Sequence, residues 1–178
     1  MKSGRAKFLL QAGAMALGLV GYAAQAADIP LTPVEELARR ADVVVRGTVT
    51  SLEARQDAGG APRTEIELTV GETWKGAWTN RLTVVQGSSV LGRRQVRVLG
   101  EPEFRLGEEL VLFAVFNPRG EAVTLDLARG KFTLKTNPVS NAVEAASDGA
   151  RVRGGVALPG QAPVEIGELH RRVREAAR

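Results

Sequence analysis

Strict alternation of apolar and polar residues in RTEIELTVGETW, residues 63–74, limits most strongly what this chain can fold into. One face of this segment holds Thr64, Ile66, Leu68 and Val70, and the other holds Glu65, Glu67 and Thr69. A period of two residues predicts a strand with one buried and one solvated face, which is typical of antiparallel sheets. The segment therefore predicts a mainly β fold.

Further short runs rich in β-branched residues occupy residues 41–54, 81–87, 95–100, 121–127 and 130–136. The run ELVLFAVF is apolar on both faces, so residues 110–116 are predicted to form the central strand. Gly47 lies inside the first run and indicates a bulge or sharp bend. Together these runs predict an antiparallel, partly closed barrel of five to seven short strands.

Each end of this strand-rich region has a helix signature. Thr32, Pro33 and Glu35 form a Thr-x-x-Glu capping box with proline at the first helical position, which predicts a short helix over residues 33–41. The last segment, EIGELHRRVREAAR, is amphipathic. Its apolar stripe consists of Ile166, Leu169, Val173 and Ala176. This stripe predicts a closing helix over residues 164–178, which either docks on the barrel or remains a free or partner-binding tail.

The first 26 residues have the features of a cleavable signal peptide. A basic start over residues 2–7 precedes the apolar run FLLQAGAMALGLVGYAA and the small-x-small sequence Ala24-Gln25-Ala26. The run is too short and too rich in Gly and Ala for a good membrane span. We therefore predict cleavage after Ala26, no integral membrane segment after cleavage, and a periplasmic or extracellular location.

The remaining residues, 27–178, are predicted to form a single domain. Its core covers about residues 31–135, a loop or hairpin follows over residues 136–163, and the helix over residues 164–178 closes it. Within the middle part, Asp148-Gly149 favours the mirror-image turn of a hairpin, with a simple loop as the alternative. Because the chain has no cysteine, hydrophobic packing must hold this domain without disulfides.

Charge argues against a nucleic-acid partner. The full chain has 24 Lys and Arg and 20 Asp and Glu, and residues 1–26 hold three of the basic residues and no acid. The predicted mature chain thus has 21 basic and 20 acidic residues, a net charge of +1, which is too balanced to attract polyanions. Glu65 and Glu67 on the solvated strand face would also repel phosphates. No nucleic-acid binding is expected.

The inventory of reactive side chains excludes most chemistries. One histidine and no cysteine cannot form a zinc, copper or haem site, and no metal or cofactor is predicted. His170 is expected on the solvent side of the closing helix. Glu108 and Glu109 are adjacent in a strand start and would point to opposite faces. No catalytic residue is assigned, although a small carboxylate-dependent hydrolase or transferase stays open as an alternative, with Glu101 and Glu103 as another carboxylate pair.

The order of these segments resembles that of a known group. A helix, ADVVVRGTV, a strand ending in WKG, LTVV and FRLGEELVLF follow one another as in uncharacterised exported bacterial proteins, whose strand order is similar to netrin-like barrels. Those barrels have the oligonucleotide/oligosaccharide-binding (OB) type of fold found in tissue inhibitors of metalloproteinases. The resemblance covers about residues 31–134. Its anchors are Asp42, Gly47, Lys75-Gly76, Phe104-x-x-Gly107 and Phe113.

This resemblance implies an OB-like barrel, but it implies no inhibitory activity. The metalloproteinase inhibitors act through an amino-terminal cysteine and a disulfide-stapled edge, and this chain has neither.

The motif WKGAW raises the question of a binding surface. Trp74 continues the inward phase of its strand and is predicted to fill the core, and Gly76 permits a backbone reversal. Trp78 is either a lid over the barrel end or an exposed contact. Barrels of this shape use loops and an open edge to hold partners. The candidate partner surface is Lys75, Gly76 and Trp78, joined by Arg93 and Arg94 of the SSVLGRR loop if the strands pair in order.

The predicted function is that of an exported, non-catalytic binding module of the cell envelope that contacts another protein.

Overall fold

The computed structural model describes residues 32–77, 80–151 and 162–178. The helices are α1 (Val34–Arg40) and α2 (Ile166–Ala176), with 3-10 helices at Leu127–Gly130 and Asp148–Arg151. The strands are β1 (Val43–Gln56), β2 (Pro62–Lys75), β3 (Arg81–Gln86), β4 (Ser89–Leu91), β5 (Arg94–Val96), β6 (Glu109–Phe116), β7 (Ala122–Thr124), β8 (Lys131–Thr136), β9 (Val143–Ser147) and β10 (Val164–Glu165). Within these ranges no helix has the length and apolar character needed to cross a membrane.

Five of these strands close into a barrel in the order β1-β2-β3-β7-β6, with β6 pairing back onto β1. This confirms the predicted mainly β, OB-like barrel with a helix at each end. The prediction of a strictly antiparallel, partly closed barrel is wrong in two details, because the barrel is closed and β3 runs parallel to β7 through Val84 and Ala122. A closed ring with an odd number of strands cannot alternate direction at every step, so one parallel pair is unavoidable.

Gly47 marks the predicted bulge. The register between β1 and β2 shifts between Arg46 and Gly47. A Cβ atom at Gly47 would lie 2.6 Å from the backbone oxygen of Thr69. Only glycine lets β1 and β2 approach so closely at this point. The bulge bends β1, and the bent strand pairs with both β2 and β6.

Alternate residues of β6 serve two different cores, which confirms it as the central strand. Leu110, Leu112 and Ala114 point into the barrel, where they pack with side chains of β1, β2 and β3. Val111 and Phe113 point to the other side, where they pack with α1, α2, β8 and β9. Packed side chains cover both faces of β6, which explains why residues 110–114 are apolar on both faces.

The closing helix docks on the second core. Leu169 and Val173 of α2 are fully buried, as the amphipathic stripe predicted. The guanidinium of Arg172 donates from Nε and Nη2 to the two carboxylate oxygens of Glu35, at 2.6 and 3.0 Å, and so links α2 to α1. The alternatives of a free or partner-binding tail are therefore excluded for α2.

The prediction of a capping box at the start of α1 is wrong. Pro33 takes the N-cap position, and no side chain caps the helix. The hydroxyl of Thr32 instead donates to the carboxylate of Asp126. The reciprocal bond of a capping box needs a backbone N–H at the N-cap position, which Pro33 lacks, and the Glu35 carboxylate accepts from Arg172 instead.

Two loop predictions also change. The segment SSVLGRR contains β4 and the turn of a β4–β5 hairpin, with Gly92 at φ 60°. The expected hairpin turn at Asp148-Gly149 is wrong, because a 3-10 helix begins at Asp148. The acidic side chain of Asp148 is held by Lys131 and Thr133, as described below. The predicted signal peptide and Trp78 lie outside the described residues.

Candidate functional site

Lys75, the first residue of the predicted surface, has a structural role. Its Nζ donates to the carbonyl oxygens of Ala38 at 2.8 Å, Arg39 at 3.0 Å and Ala41 at 2.6 Å. These carbonyls lie at the end of α1, where a helix has no backbone donors left for them. All three protons of the ammonium group are thus used to hold α1 against the end of β2.

Gly76 completes this attachment. Its φ is +80°, and a Cβ atom there would lie 2.7 Å from the backbone oxygen of Asp42. The Asp42 carboxylate in turn accepts a bond from the backbone N–H of Phe116 at 2.9 Å. Lys75 and Gly76 therefore form a tight backbone junction, which we call the anchored end of the barrel.

Trp74 and His170 seal the anchored end from the side. Trp74 is only 8% exposed, which confirms that it is a core residue. The predicted inward phase is wrong, because Trp74 packs in the second core with α1 and α2, whereas Ile66 and Leu68 lie inside the barrel. The β1–β2 register shifts at Trp74, which turns its side chain to the other face. The imidazole of His170 stacks on the indole, with ring centroids 4.6 Å apart, so the expected solvent-side position of His170 is wrong. The indole Nε1 donates to Glu72 at 2.9 Å, and this bond is the main reason that the pKa of Glu72 is lowered. Sequence periodicity missed this contact because it joins strand and helix residues far apart in the chain.

Arg93 and Arg94 lie elsewhere, on the β4–β5 hairpin. Thr64 at the start of β2 pairs with Gln86, directly before this hairpin, whereas Lys75 is the last residue of the 14-residue strand β2. The two halves of the predicted surface are therefore at opposite ends of β2 and do not form one contact area. In an antiparallel β2–β3 pair, the turn after β2 and the loop after β3 necessarily lie at opposite ends.

We call residues 88–99, which contain the β4–β5 hairpin, the arm. Arg93, Arg94 and Arg97 are exposed, and no hydrogen bond or ion pair joins their side chains to any residue in the described ranges. Apolar side chains surround these cations. Val90 is 63% exposed and Leu99 is 87% exposed. Arginine is enriched at the energetic centres of protein interfaces, and the buried core of such interfaces is more apolar than the rest of the surface.

The base of the arm is fixed to the barrel. The carboxylate of Glu101 accepts the backbone N–H of Gly87 at 2.8 Å and that of Ser88 at 2.7 Å. The hydroxyl of Ser88 accepts the N–H of Val98 at 2.9 Å, which closes the arm at its foot. A cleft of about 480 Å³ runs along this foot, between the arm and the turn that follows β6, and its lining includes Arg119.

The candidate carboxylate pairs do not converge. Glu108 faces Lys131, whereas its neighbour Glu109 pairs with Arg46 at 2.7 Å, so they lie on opposite faces as expected. Glu101 binds backbone N–H groups, and the side chain of Glu103 is 76% exposed, 3.8 Å from Arg105. Each carboxylate of these two pairs has its own partner, and none is paired with another carboxylate.

A buried ion cluster escaped the sequence analysis. Lys131 begins β8 and is only 1% exposed. Its Nζ donates to the carboxylate of Asp148 at 2.8 Å and forms an ion pair with Glu108, and the side chains of these two acids are 12% and 11% exposed. The strand β8 reads KFTLKT, in which Lys131 alternates in phase with Thr133 and Lys135, so the pattern indicated a solvated face and not a buried cation.

Among the described residues, no group of three or more His, Cys, Asp or Glu side chains is placed to hold a metal ion. No protein-family model matches the chain, and no curated protein matches it.

Proposed function

We propose that this chain is an exported, non-catalytic binding module of the cell envelope, which contacts another protein through the arm. The observation that carries this proposal is the group of exposed arginines on the arm, Arg93, Arg94 and Arg97, whose side chains have no hydrogen-bond or ion-pair partner within the described ranges. Exposed Leu99 lies on the same segment, and the base of the arm is fixed. Cations that have no partner in the described part of their own fold are available to another protein.

The surroundings of the arm favour a protein over a polyanion. Exposed apolar side chains such as Val90 and Leu99 suit the apolar core of a protein interface, whereas phosphate binding depends on charge. The arm packs against β2, where Glu65 pairs with Arg63 and Glu67 with Arg81. A partner with an acidic patch beside an apolar pocket would satisfy the arginines and cover the leucine. Because the base of the arm is already ordered by Glu101, little conformational entropy is lost on binding.

Export is part of the proposal and has its own test. The basic start, the apolar run and Ala24-Gln25-Ala26 support cleavage after Ala26 and a periplasmic or extracellular location. Intact-mass measurement of the chain from a cell-envelope extract should give a protein that begins at Ala27. Recovery of a chain that retains residues 8–23, from a membrane fraction, would contradict this.

The binding proposal is tested by affinity capture from an extract of exported proteins, followed by a titration with the purified partner. The double variant Arg93→Ala/Arg94→Ala should bind at least about tenfold more weakly than the wild type, because truncation of arginines at the centre of an interface costs more than about 1.4 kcal/mol. The matched control is Arg39→Ala/Arg40→Ala, which removes two adjacent exposed arginines from α1.

Equal affinity of the arm variant and the control for the partner would show that the arm is not the binding surface. Trp78→Ala belongs in the same series, since Trp78 was the other candidate contact. Turnover of any substrate by the purified chain would overturn the whole class of function.

A further inference from the structure

We propose that Lys131 and Asp148 become joined by an intramolecular amide bond, with Glu108 as the catalytic proton carrier. The starting observation is the buried contact of 2.8 Å between the Lys131 Nζ and the Asp148 Oδ2. An amine and a carboxyl group held this close, away from water, are the two reactants of amide formation.

The sheet holds both reactants in place. Phe132 of β8 pairs with Ser147 of β9, and Lys131 and Asp148 are the residues directly next to this pair. The 2.8 Å contact with Oδ2 places Nζ next to the carboxyl carbon to which Oδ2 is bonded. Reacting atoms held about 3–3.5 Å apart are in position to combine. Such fixed proximity replaces the encounter that the same reaction would need in solution.

The reaction balances without any other reactant. A proton passes from the Lys131 ammonium to the Asp148 carboxylate, which leaves an amine and a carboxylic acid. The Nζ lone pair attacks the carboxyl carbon, and Glu108 accepts a proton from the nitrogen. Glu108 then returns this proton to the departing Oδ2 hydroxyl. The Nζ–C bond forms, the C–Oδ2 bond breaks, one water molecule leaves, and Glu108 ends as it began.

Two further groups suit the transition state. The hydroxyl of Thr133 donates to Asp148 Oδ1 at 2.8 Å, and this oxygen remains as the amide carbonyl. Negative charge develops on that oxygen during the attack, so a fixed donor there lowers the barrier. The backbone oxygen of Glu103 accepts from Lys131 Nζ at 2.7 Å and orients the nitrogen.

Burial favours the product over the ions. The Phe104 ring lies over the Lys131 Nζ, with its centroid 5.1 Å away, and Lys131 is 1% exposed. The site holds two carboxylates and one ammonium, and charges in such surroundings have lost most of their hydration. Amide formation removes one charge of each sign. It also takes the cation from Glu108, so the gain from burial comes from Lys131 and Asp148 alone.

The bond would give this chain a covalent link that its composition otherwise lacks. Lys131 and Asp148 are 17 residues apart, so the link would close the β8–β9 hairpin into a ring. Because the chain has no cysteine, no disulfide can serve this purpose. A link of this kind limits the freedom of the unfolded chain, as a disulfide does. The proposal is independent of the arm and its partner.

The wild-type mass tests the proposal directly. The full-length chain, expressed and purified in the folded state, should be lighter by one water molecule than its sequence requires when it is measured in denaturant. Proteolysis should yield a branched peptide that contains both Lys131 and Asp148. A folded wild-type chain, verified by circular dichroism, with its full sequence mass would overturn the proposal without any variant.

Variants separate the amide from other losses of water. Asp148-Gly149 could also lose water by closing a ring with its own backbone, but that product is linear and does not need Lys131. Lys131→Arg should restore the full mass, and continued loss of water in this variant would overturn the proposal. Asp148→Asn should form the same final product as the wild type, with ammonia leaving in place of water.

The role of Glu108 has its own matched pair. Glu108→Gln should keep the full mass, or lose water at least about a hundredfold more slowly, since general acid–base catalysis contributes about 10²–10⁴-fold. Glu109→Gln changes the neighbouring carboxylate, which pairs with Arg46, and should lose water like the wild type. Equal rates in the two variants would remove Glu108 from the reaction.

Discussion

The two ends of β2 contain the residues that the sequence placed in one surface, and the structure uses them in opposite ways. At the anchored end, Lys75 donates to three carbonyl oxygens, and Gly76 lies against Asp42. On the arm, Arg93 and Arg94 extend into solvent, and no partner for their side chains occurs in the described ranges. The first region contributes to the stability of the fold, whereas the second is available for recognition.

This difference shows that the role of a cationic side chain depends on the hydrogen-bond acceptors within its reach. Lys75 is surrounded by helix carbonyls that have lost their backbone donors. Arg93 lies at the tip of a hairpin, where the nearby backbone is already paired and only solvent remains. Residue type alone therefore does not distinguish a structural cation from a recognition cation.

The largest expected effect compares a buried with an exposed leucine in the two regions. Leu169→Ala removes a fully buried side chain of α2 and should lower the free energy of unfolding by about 2–5 kcal/mol. Leu99→Ala, on the arm, removes a side chain that is 87% exposed and should change it by less than about 0.5 kcal/mol. Urea unfolding measures both, and similar losses would mean that the arm is part of the core.

A second comparison concerns the cations themselves. Lys75→Met leaves the carbonyls at the end of α1 without a donor and should destabilise the protein by about 1–3 kcal/mol. Arg94→Met should stay within about 0.5 kcal/mol of the wild type, because this side chain is exposed and unpaired in the described structure. If Lys75→Met lowers the free energy of unfolding as little as Arg94→Met does, the hydrogen bonds of Lys75 do not stabilise the anchored end.

The base of the arm gives a third, smaller effect. Glu101→Gln keeps one acceptor oxygen but turns an amide group toward a backbone donor, so it should destabilise by about 1–2 kcal/mol. Hydrogen exchange at Gly87 and Ser88 should become faster in the same variant. Glu103→Gln is the matched control, since this side chain is 76% exposed and should show neither change.

Acid should loosen the anchored end by the smallest amount. The pKa of Glu35 is lowered mainly by its hydrogen bonds from Arg172, and that of Glu72 mainly by the bond from Trp74. A carboxyl group with a lowered folded-state pKa stabilises the fold above its ordinary pKa of 4.5, and this stability is lost as the pH falls through the lowered value. Each contribution should stay below about 1 kcal/mol, because both side chains are more than one-third exposed.

The acid effect is measured by urea unfolding from about pH 6 to about pH 3. The difference between the wild type and Arg172→Met should shrink over this range as Glu35 gains its proton. A difference that is constant with pH would show that Glu35 and Arg172 do not interact in solution.

Much of the fold was predictable because local patterns express burial. The alternation at Ile66 and Leu68 predicted which face of β2 lies inside the barrel, and both side chains are fully buried. The double-sided run of β6 predicted the central strand, and the stripe at Leu169 and Val173 predicted the docked face of α2. In each case the partner can be any apolar surface, so its identity need not be known.

Polar contacts were not predictable in the same way. Instead of forming a capping box, Glu35 bonds to Arg172, which is 137 residues away in the chain. Lys131 appeared as one lysine in a strand, and only pairing between β8 and β9 brings it to Asp148. A directional bond needs a particular atom at a particular distance, and strand order and register decide which atom arrives there.

The sequence by itself determined the alternation that buries one face of β2, the bend at Gly47, the burial of Trp74 and the absence of any disulfide. Those properties follow from local backbone geometry and from composition, so they do not depend on which distant segments become neighbours. The tertiary structure alone decided that the barrel closes with one parallel pair and that Lys75 faces α1. It also decided that Arg93 and Arg94 lie at the far end of β2 and that Lys131 meets Asp148. These outcomes depend on which distant segments become neighbours, because charge pairs and hydrogen bonds act only over the short distances that the folded chain creates.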